Sequence, residues 1–102
     1  MKFRVLYHPE VYEDLKEAMD WYEEKQEGLG IKFLATAKMQ INSLRNSALQ
    51  YSVRYDDVRC MPMKKFPYMV HFRVNIQEKS VIVEAVLNTW MNPAQWSDRS
   101  KS

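Results

Sequence analysis

The only two glycines of this chain, Gly28 and Gly30, flank Leu29 between two stretches of helical periodicity. That placement constrains the fold more than any other feature. Before it, Val11, Leu15, Ala18 and Tyr22 fall at i, i+4, i+7 and i+11, one apolar stripe of a helix, widened by Tyr12 and Met19. Lys16, Asp20, Glu23 and Glu24 occupy the opposite face. His8-Pro9-Glu10 starts this helix: Pro9 suits the first turn, where a missing N–H loses no intrahelical bond. Glu10, Glu13 and Asp14 favour the positive end of the helix dipole. Gly28 is expected to cap its C-terminus. After the glycines, Leu34, Ala37, Ile41 and Leu44, with Phe33 beside them, form the stripe of a second helix running to about Asn46. Two amphipathic helices joined by a Gly-Leu-Gly turn make an antiparallel hairpin.

The periodicity then changes. Before the hairpin, Phe3, Val5 and Tyr7 alternate with Arg4 and Leu6 as a short strand. From Val58 onward three segments read as strands: Val58–Met63, Tyr68–Val74 and Val81–Leu87. The short connections through Lys64-Lys65-Phe66-Pro67 and through Asn75–Ser80 favour an antiparallel meander. The predicted order is β-α-α-β-β-β: an α+β fold with the helical hairpin packed on one face of a mainly antiparallel sheet. The 102 residues suit a single domain, expected over residues 1–99, with 100–102 a loose tail.

Apolar residues make up 46% of the chain and aromatics 13%, enough for a compact core and too apolar for a disordered chain. No apolar run approaches the ~20 residues that span a bilayer, so no membrane association is expected. The N-terminus lacks the apolar stretch of a signal peptide, and a single cysteine, Cys60, precludes an intrachain disulfide. A reducing cytoplasm is the expected setting. Net charge is only +2, yet it is distributed unevenly. His8–Gly28 carries eight acidic and two basic residues, whereas Leu29–Arg73 carries eight basic and two acidic. The basic part suits an acidic partner or a phosphate backbone; equally, the two halves simply attract each other.

Two histidines and one cysteine without close spacing give no metal-ligand pattern, and Gly28-Leu29-Gly30 lacks the lysine and preceding strand of a phosphate loop, so no cofactor is expected. His8 is expected to cap or precede the first helix, and Cys60 to be a buried strand residue. The acidic run around Tyr22 reads as a helix surface. The seven methionines read as core filling. Strand alternation puts Arg59 on one face with Met61 and Met63, and His71 with Met69 and Arg73. If these faces coincide, Arg59, His71 and Arg73 form a cationic group away from the helices, while Tyr68, Val70, Phe72 and Val74 pack against them. That group would hold a phosphate or an acidic partner. The alternative is a set of solvated or ion-paired strand residues, with Glu84 the available partner. Lys64 and Lys65 beside Phe66-Pro67 read as a solubilising turn or a nucleic-acid contact. Trp90 and Trp96 lie near the chain end, Trp96 expected to pack and Trp90 to be at least partly exposed.

Read in order, Asp14-Leu15, Ala18, Trp21-Tyr22-Glu23-Glu24, Gly28-Leu29-Gly30 and Phe33 resemble the helical half of RelE/ParE toxins, the ParE-like branch above all. Val58-Arg59, Lys65-Phe66-Pro67-Tyr68, Val70 and Phe72 resemble that family's second and third strands. Val81, Val83, Ala85 and Val86 resemble its last strand, and Asn92-Pro93, Trp96 and Arg99 its C-terminal signature. The resemblance spans Tyr7 to Arg99. It implies a toxin held inactive by a cognate antitoxin, which folds a helix or an added strand onto a groove or sheet edge. Homodimers or toxin–antitoxin hetero-oligomers are both compatible with it. The ParE-like branch implies a gyrase inhibitor that acts by binding. The RelE-like branch implies a ribosome-dependent mRNA endoribonuclease, with no metal. Many members carry a histidine and arginines where this chain has Asn88, Trp90 and Met91, and the loss of that basic group disfavours the nuclease. A decayed toxin that only binds its antitoxin is the third reading. Partner-facing candidates are therefore Lys64, Lys65, Asn88, Trp90, Trp96 and Arg99, beside the weak catalytic candidates Arg59, His71 and Arg73.

Overall fold

A computed structural model describes residues 2–90. Trp96, Arg99 and the expected tail at 100–102 lie outside them. The chain runs β1 (Arg4–Tyr7), α1 (Glu10–Lys25), α2 (Leu29–Ser47), a 3-10 turn at Ala48–Gln50, β2 (Val53–Tyr55), β3 (Val58–Pro62), β4 (Tyr68–Asn75) and β5 (Ser80–Asn88). The strands form one sheet in the order β1-β5-β4-β3-β2. β1 pairs parallel with β5; the other pairings are antiparallel. This is the expected α+β architecture with one strand more than the sequence reading allowed. β2 is that strand. It returns into β3 through Asp56-Asp57, both with positive φ (41° and 65°). Two consecutive left-handed residues match the twist of a tight hairpin, and aspartate tolerates that conformation.

The core lies between the helical layer and the sheet. Val11, Leu15, Ala18 and Tyr22 of α1 are all buried, as their spacing predicts. On α2 the buried stripe is Phe33, Ala37, Ile41 and Leu44, joined by Gly30 and Gln40. Leu34 is only half-buried, and Phe33, expected beside the stripe, takes its place in it. From the sheet, Met61, Met63, Val70, Phe72, Val81, Val83 and Val86 complete the same cluster. Phe33 is its aromatic centre, with ring centroids 5.4 Å from Tyr22, 5.1 Å from Phe66 and 5.0 Å from Tyr68.

His8 precedes α1, whose N-cap is Pro9, and its Nδ1 accepts the Glu10 amide at 3.2 Å. Gly28 plays a different part from the one expected. The C-cap of α1 is Gln26, and Gly28, at φ 86°, is the N-cap of α2. Its left-handed conformation turns the chain where a side chain would be strained. The Glu23 carboxylate receives the Gly28 and Gly30 amides at 2.9 and 3.0 Å, so one residue of the acidic surface run closes the turn. Gly30 is needed for a second reason. A Cβ there would collide with the Met19 carbonyl of α1, so glycine lets the helices approach.

Candidate functional site

The sheet face turned away from the helices is organised by register. In β3–β4, Cys60 stands opposite His71 and Arg59 opposite Phe72. Residues directly opposite share a face, so Arg59 lies on the helix side with Phe72, and His71 lies on the outer side with Cys60. The expected cationic group of Arg59, His71 and Arg73 is therefore not formed. Arg59 Nη1 donates to the Tyr51 carbonyl at 2.6 Å, tying the sheet to the segment after α2. The companion expectation holds: Tyr68, Val70, Phe72 and Val74 all pack with the helix-side core.

The outer face then takes its character from a bulge. In β4–β5 the register steps from His71↔Ala85 to Phe72↔Val83, leaving Glu84 as an extra residue. A bulge sends two successive side chains to one face. Glu84 thereby reaches Arg73, whose Nε donates to its Oε1 at 2.8 Å, while Arg73 Nη1 donates to the Asp56 carbonyl at 2.6 Å. Arg73 is thus ion-paired, with Glu84 the partner anticipated from the sequence.

His71 is fully buried, among Cys60, Met69, Ala85 and Leu87 on this outer face. Its Nδ1 lies 2.8 Å from Tyr55 Oη and 3.4 Å from Cys60 Sγ. Burial, with Cys60 nearby, pushes the Tyr55 phenol far above its ordinary range, and burial pushes the Cys60 thiol up to about 11. Both groups therefore keep their protons near neutral pH. A protonated thiol is no nucleophile and a protonated phenol is no base.

Two concave surfaces flank the helices. The first is an apolar groove of about 420 Å³ beside β1, walled by Tyr7, Tyr12, Leu15, Met19 and Leu34. Tyr7 and Tyr12 stack at 5.8 Å, and Lys16 and Lys38 stand at its rim. The second, of about 370 Å³, lies where α1 crosses the end of β5, among Asp14, Glu17, Trp21, Tyr68, Asn88 and Trp90. Asn88 ends β5, and its Oδ1 accepts the Trp90 amide at 3.1 Å. Trp90 is 71% exposed, in keeping with the sequence reading. Glu17 was not singled out from the sequence, and Trp21 and Tyr68 were named there for the family resemblance and not as site residues. Glu17 and Trp21 are neighbours one turn apart on α1, and the packing of α1 on the sheet brings them to Tyr68 of β4 and to the end of β5. Lys64 and Lys65 are exposed in the β3–β4 connection, Lys65 at φ 70°, and the Lys64 amide donates to Gln40 Oε1 at 2.7 Å. The same connection reaches the Asn88 end of the sheet, where Thr89 N–H donates to the Pro67 carbonyl at 2.8 Å.

Among the described residues, no helix is long and apolar enough to cross a membrane, and no group of three or more His, Cys, Asp and Glu side chains is placed to hold a metal ion. The sequence matches no protein-family model and no curated protein. Solved structures do match. A chain of the chromosomal ParDE toxin–antitoxin system from P. aeruginosa superposes with a TM-score of 0.75 at 19% identity, covering 85% of this chain and 96% of that one. A mutant of the E. coli toxin RelE in the free state gives 0.62 at 12% identity, covering 99% and 93%. RelE–RelB from Pyrococcus horikoshii OT3 gives 0.58 at 13% identity, covering 90% and 100%. A helical hairpin on one face of the β1-β5-β4-β3-β2 sheet is common ground at identities this low, and the chain accordingly has the RelE/ParE toxin fold.

Proposed function

We propose that this chain is the toxin of a toxin–antitoxin pair, neutralised by a cognate antitoxin, and that it acts as ParE-like toxins are expected to, by binding DNA gyrase without chemistry of its own. The sequence resemblance from Tyr7 to Arg99 and the likeness to a ParDE system support the toxin reading. That the similar structures include a RelE–RelB complex supports an antitoxin partner. The groove beside β1 suits an amphipathic antitoxin segment: its walls are apolar, and Lys38 at its rim favours an acidic flank, whereas Lys16 is ion-paired with Asp20.

The fate of three cationic candidates carries the choice between binding and cleavage. Attack of a 2′-hydroxyl on a phosphate needs a base, an acid and cations free to follow the developing charge. Arg73 is held by Glu84, Arg59 is on the other side of the sheet, and His71 is buried beside Tyr55. These residues serve the fold, which supports a toxin that works through its surface.

The test is induced expression of the chain alone, read by growth, plasmid supercoiling and integrity of ribosome-bound mRNA, beside an Arg59→Ala/Arg73→Ala variant checked for folding. Arrest with lost supercoiling, retained in the folded variant, is expected. Arrest with cut mRNA that the variant abolishes would overturn the reading in favour of a nuclease. A soluble, folded protein that arrests nothing would leave an antitoxin-binding module.

A further inference from the structure

The cleft at the end of β5 differs in chemistry from every surface used above. Trp21, Tyr68 and Trp90 give it aromatic walls, and Asp14 and Glu17 give it negative charge. It is therefore more than a group of carboxylates, because aromatic faces add a second, independent attraction for a cation. Two observations bear on that attraction. Lys25 Nζ already stands 4.8 Å from the centroid of the Trp21 ring, so this indole carries a cation within the chain itself. The Tyr68 phenol is pushed above its ordinary range by burial first, with Tyr22, Glu17 and Asp14 adding to the shift, so both carboxylates are felt at the cleft wall. Asp14 also accepts the Val86 amide, which fixes it in place; Glu17 stands exposed at the edge.

The geometry points to a receptor for one cationic side chain of a protein partner, an arginine or lysine held against Trp21 and Trp90 with its charge beside Glu17. A volume of about 370 Å³ open to solvent admits a long side chain and its head group. An arginine fits better than a lysine: a planar guanidinium stacks on an indole while donating to a carboxylate. A nucleic acid does not fit, since its phosphates would meet Asp14 and Glu17. The site follows from this cleft alone and is independent of the toxin's cellular target.

The probe is a capped Gly-Arg-Gly tripeptide titrated into the ¹⁵N-labelled full chain, with the indole N–H resonances of Trp21 and Trp90 as readout. Saturable shifts of both are expected by about 10 mM, a range suited to one side chain. The matched citrulline peptide, which has the shape without the charge, should shift neither. Glu17→Gln and Trp90→Ala, both at exposed positions, should each weaken the arginine peptide about threefold, with Trp21 reporting in the second variant. Equal shifts from the citrulline peptide would reduce the cleft to an apolar contact and overturn the proposal. So would the absence of saturable shifts in the folded protein, or affinities that neither variant alters.

Discussion

Asp14 Oδ2 accepts the backbone N–H of Val86 at 3.0 Å, joining the second turn of α1 to the last strand. The contact answers a problem of strand length. β1 pairs with β5 only as far as Tyr7↔Val83, and the His8 amide closes that ladder on the Val83 carbonyl at 2.8 Å. Beyond Val83, β5 runs on without its parallel neighbour, and a buried amide needs a partner. The Asp14 carboxylate supplies one and sets the roll of α1 over the sheet. Asp14→Ala should lower stability by about 1–3 kcal/mol, the cost of a buried donor left unmet. Asp14→Asn, which keeps an acceptor oxygen, should lose less. Urea denaturation measures both, and amide exchange at Val86 should accelerate in the alanine variant. Unchanged exchange would mean that another group takes the amide.

Arg73 and Glu84 make the corresponding contact on the outer face. Their side chains are 31% and 17% exposed, so solvent screens the pair only in part. Removing Arg73 alone leaves a half-buried carboxylate with its main ion-pair partner gone, whereas removing both leaves no charge to compensate. A double-mutant cycle with Arg73→Ala and Glu84→Ala should therefore show coupling of about 1 kcal/mol. Strict additivity of the two urea midpoints would show the pair to be energetically idle.

The helical hairpin was legible because its signals are local. Stripes at Val11, Leu15, Ala18 and Tyr22 and at Ala37, Ile41 and Leu44 depend only on spacing along one element. Glycine at 28 and 30 marked the turn, although which helix Gly28 caps depends on how many residues the turn consumes. The strands were found by alternation, but alternation states which residues share a face within a strand and not which faces meet across strands. Arg59 was misplaced for that reason: its face is settled by the pairing Arg59↔Phe72, which follows from the length of the Lys64–Pro67 connection. β2 has three residues, too few for a period to show, and its one signal was the Asp56-Asp57 pair. Asn88 and Trp90 stood out as unusual near the chain end. Of their companions, Glu17 read as an ordinary helix residue, and Trp21 and Tyr68 marked the family resemblance without marking a shared cleft.

Gln40 shows what periodicity alone hides. It sits in the buried stripe of α2, where an apolar residue is the simple expectation. Its Nε2 donates to the Pro62 carbonyl at 3.1 Å and its Oε1 accepts the Lys64 amide at 2.7 Å, so one amide group serves both backbone ends of the turn after β3. Gln40→Leu keeps the burial and orphans both. A loss of about 1–3 kcal/mol is expected, or roughly 4–8 °C in Tm for each kcal/mol in a domain of this size. A leucine variant as stable as the parent would mean that water satisfies the turn equally well.

The Cys60–His71–Tyr55 cluster makes stability sensitive to alkali. Burial raises the Cys60 thiol from 9.0 to about 11, and burial also raises the Tyr55 phenol. Each group holds its proton more tightly in the folded chain than in the unfolded one. Its contribution is complete below the unfolded value and is lost as pH rises through the folded one. For Cys60 that window runs from 9.0 to about 11, and Tyr55 extends the loss above it. Urea midpoints followed across the window should fall with pH, and the fall should be shallower in Cys60→Ala, which removes the thiol's share while other titrations proceed as before. At about pH 8 the thiol should react with an alkylating reagent far more slowly than the same cysteine in urea, since the buried proton must leave first. Parallel midpoint curves for parent and Cys60→Ala, with equal alkylation rates folded and unfolded, would show that Cys60 titrates as a solvent-exposed thiol and that the cluster places no demand on it.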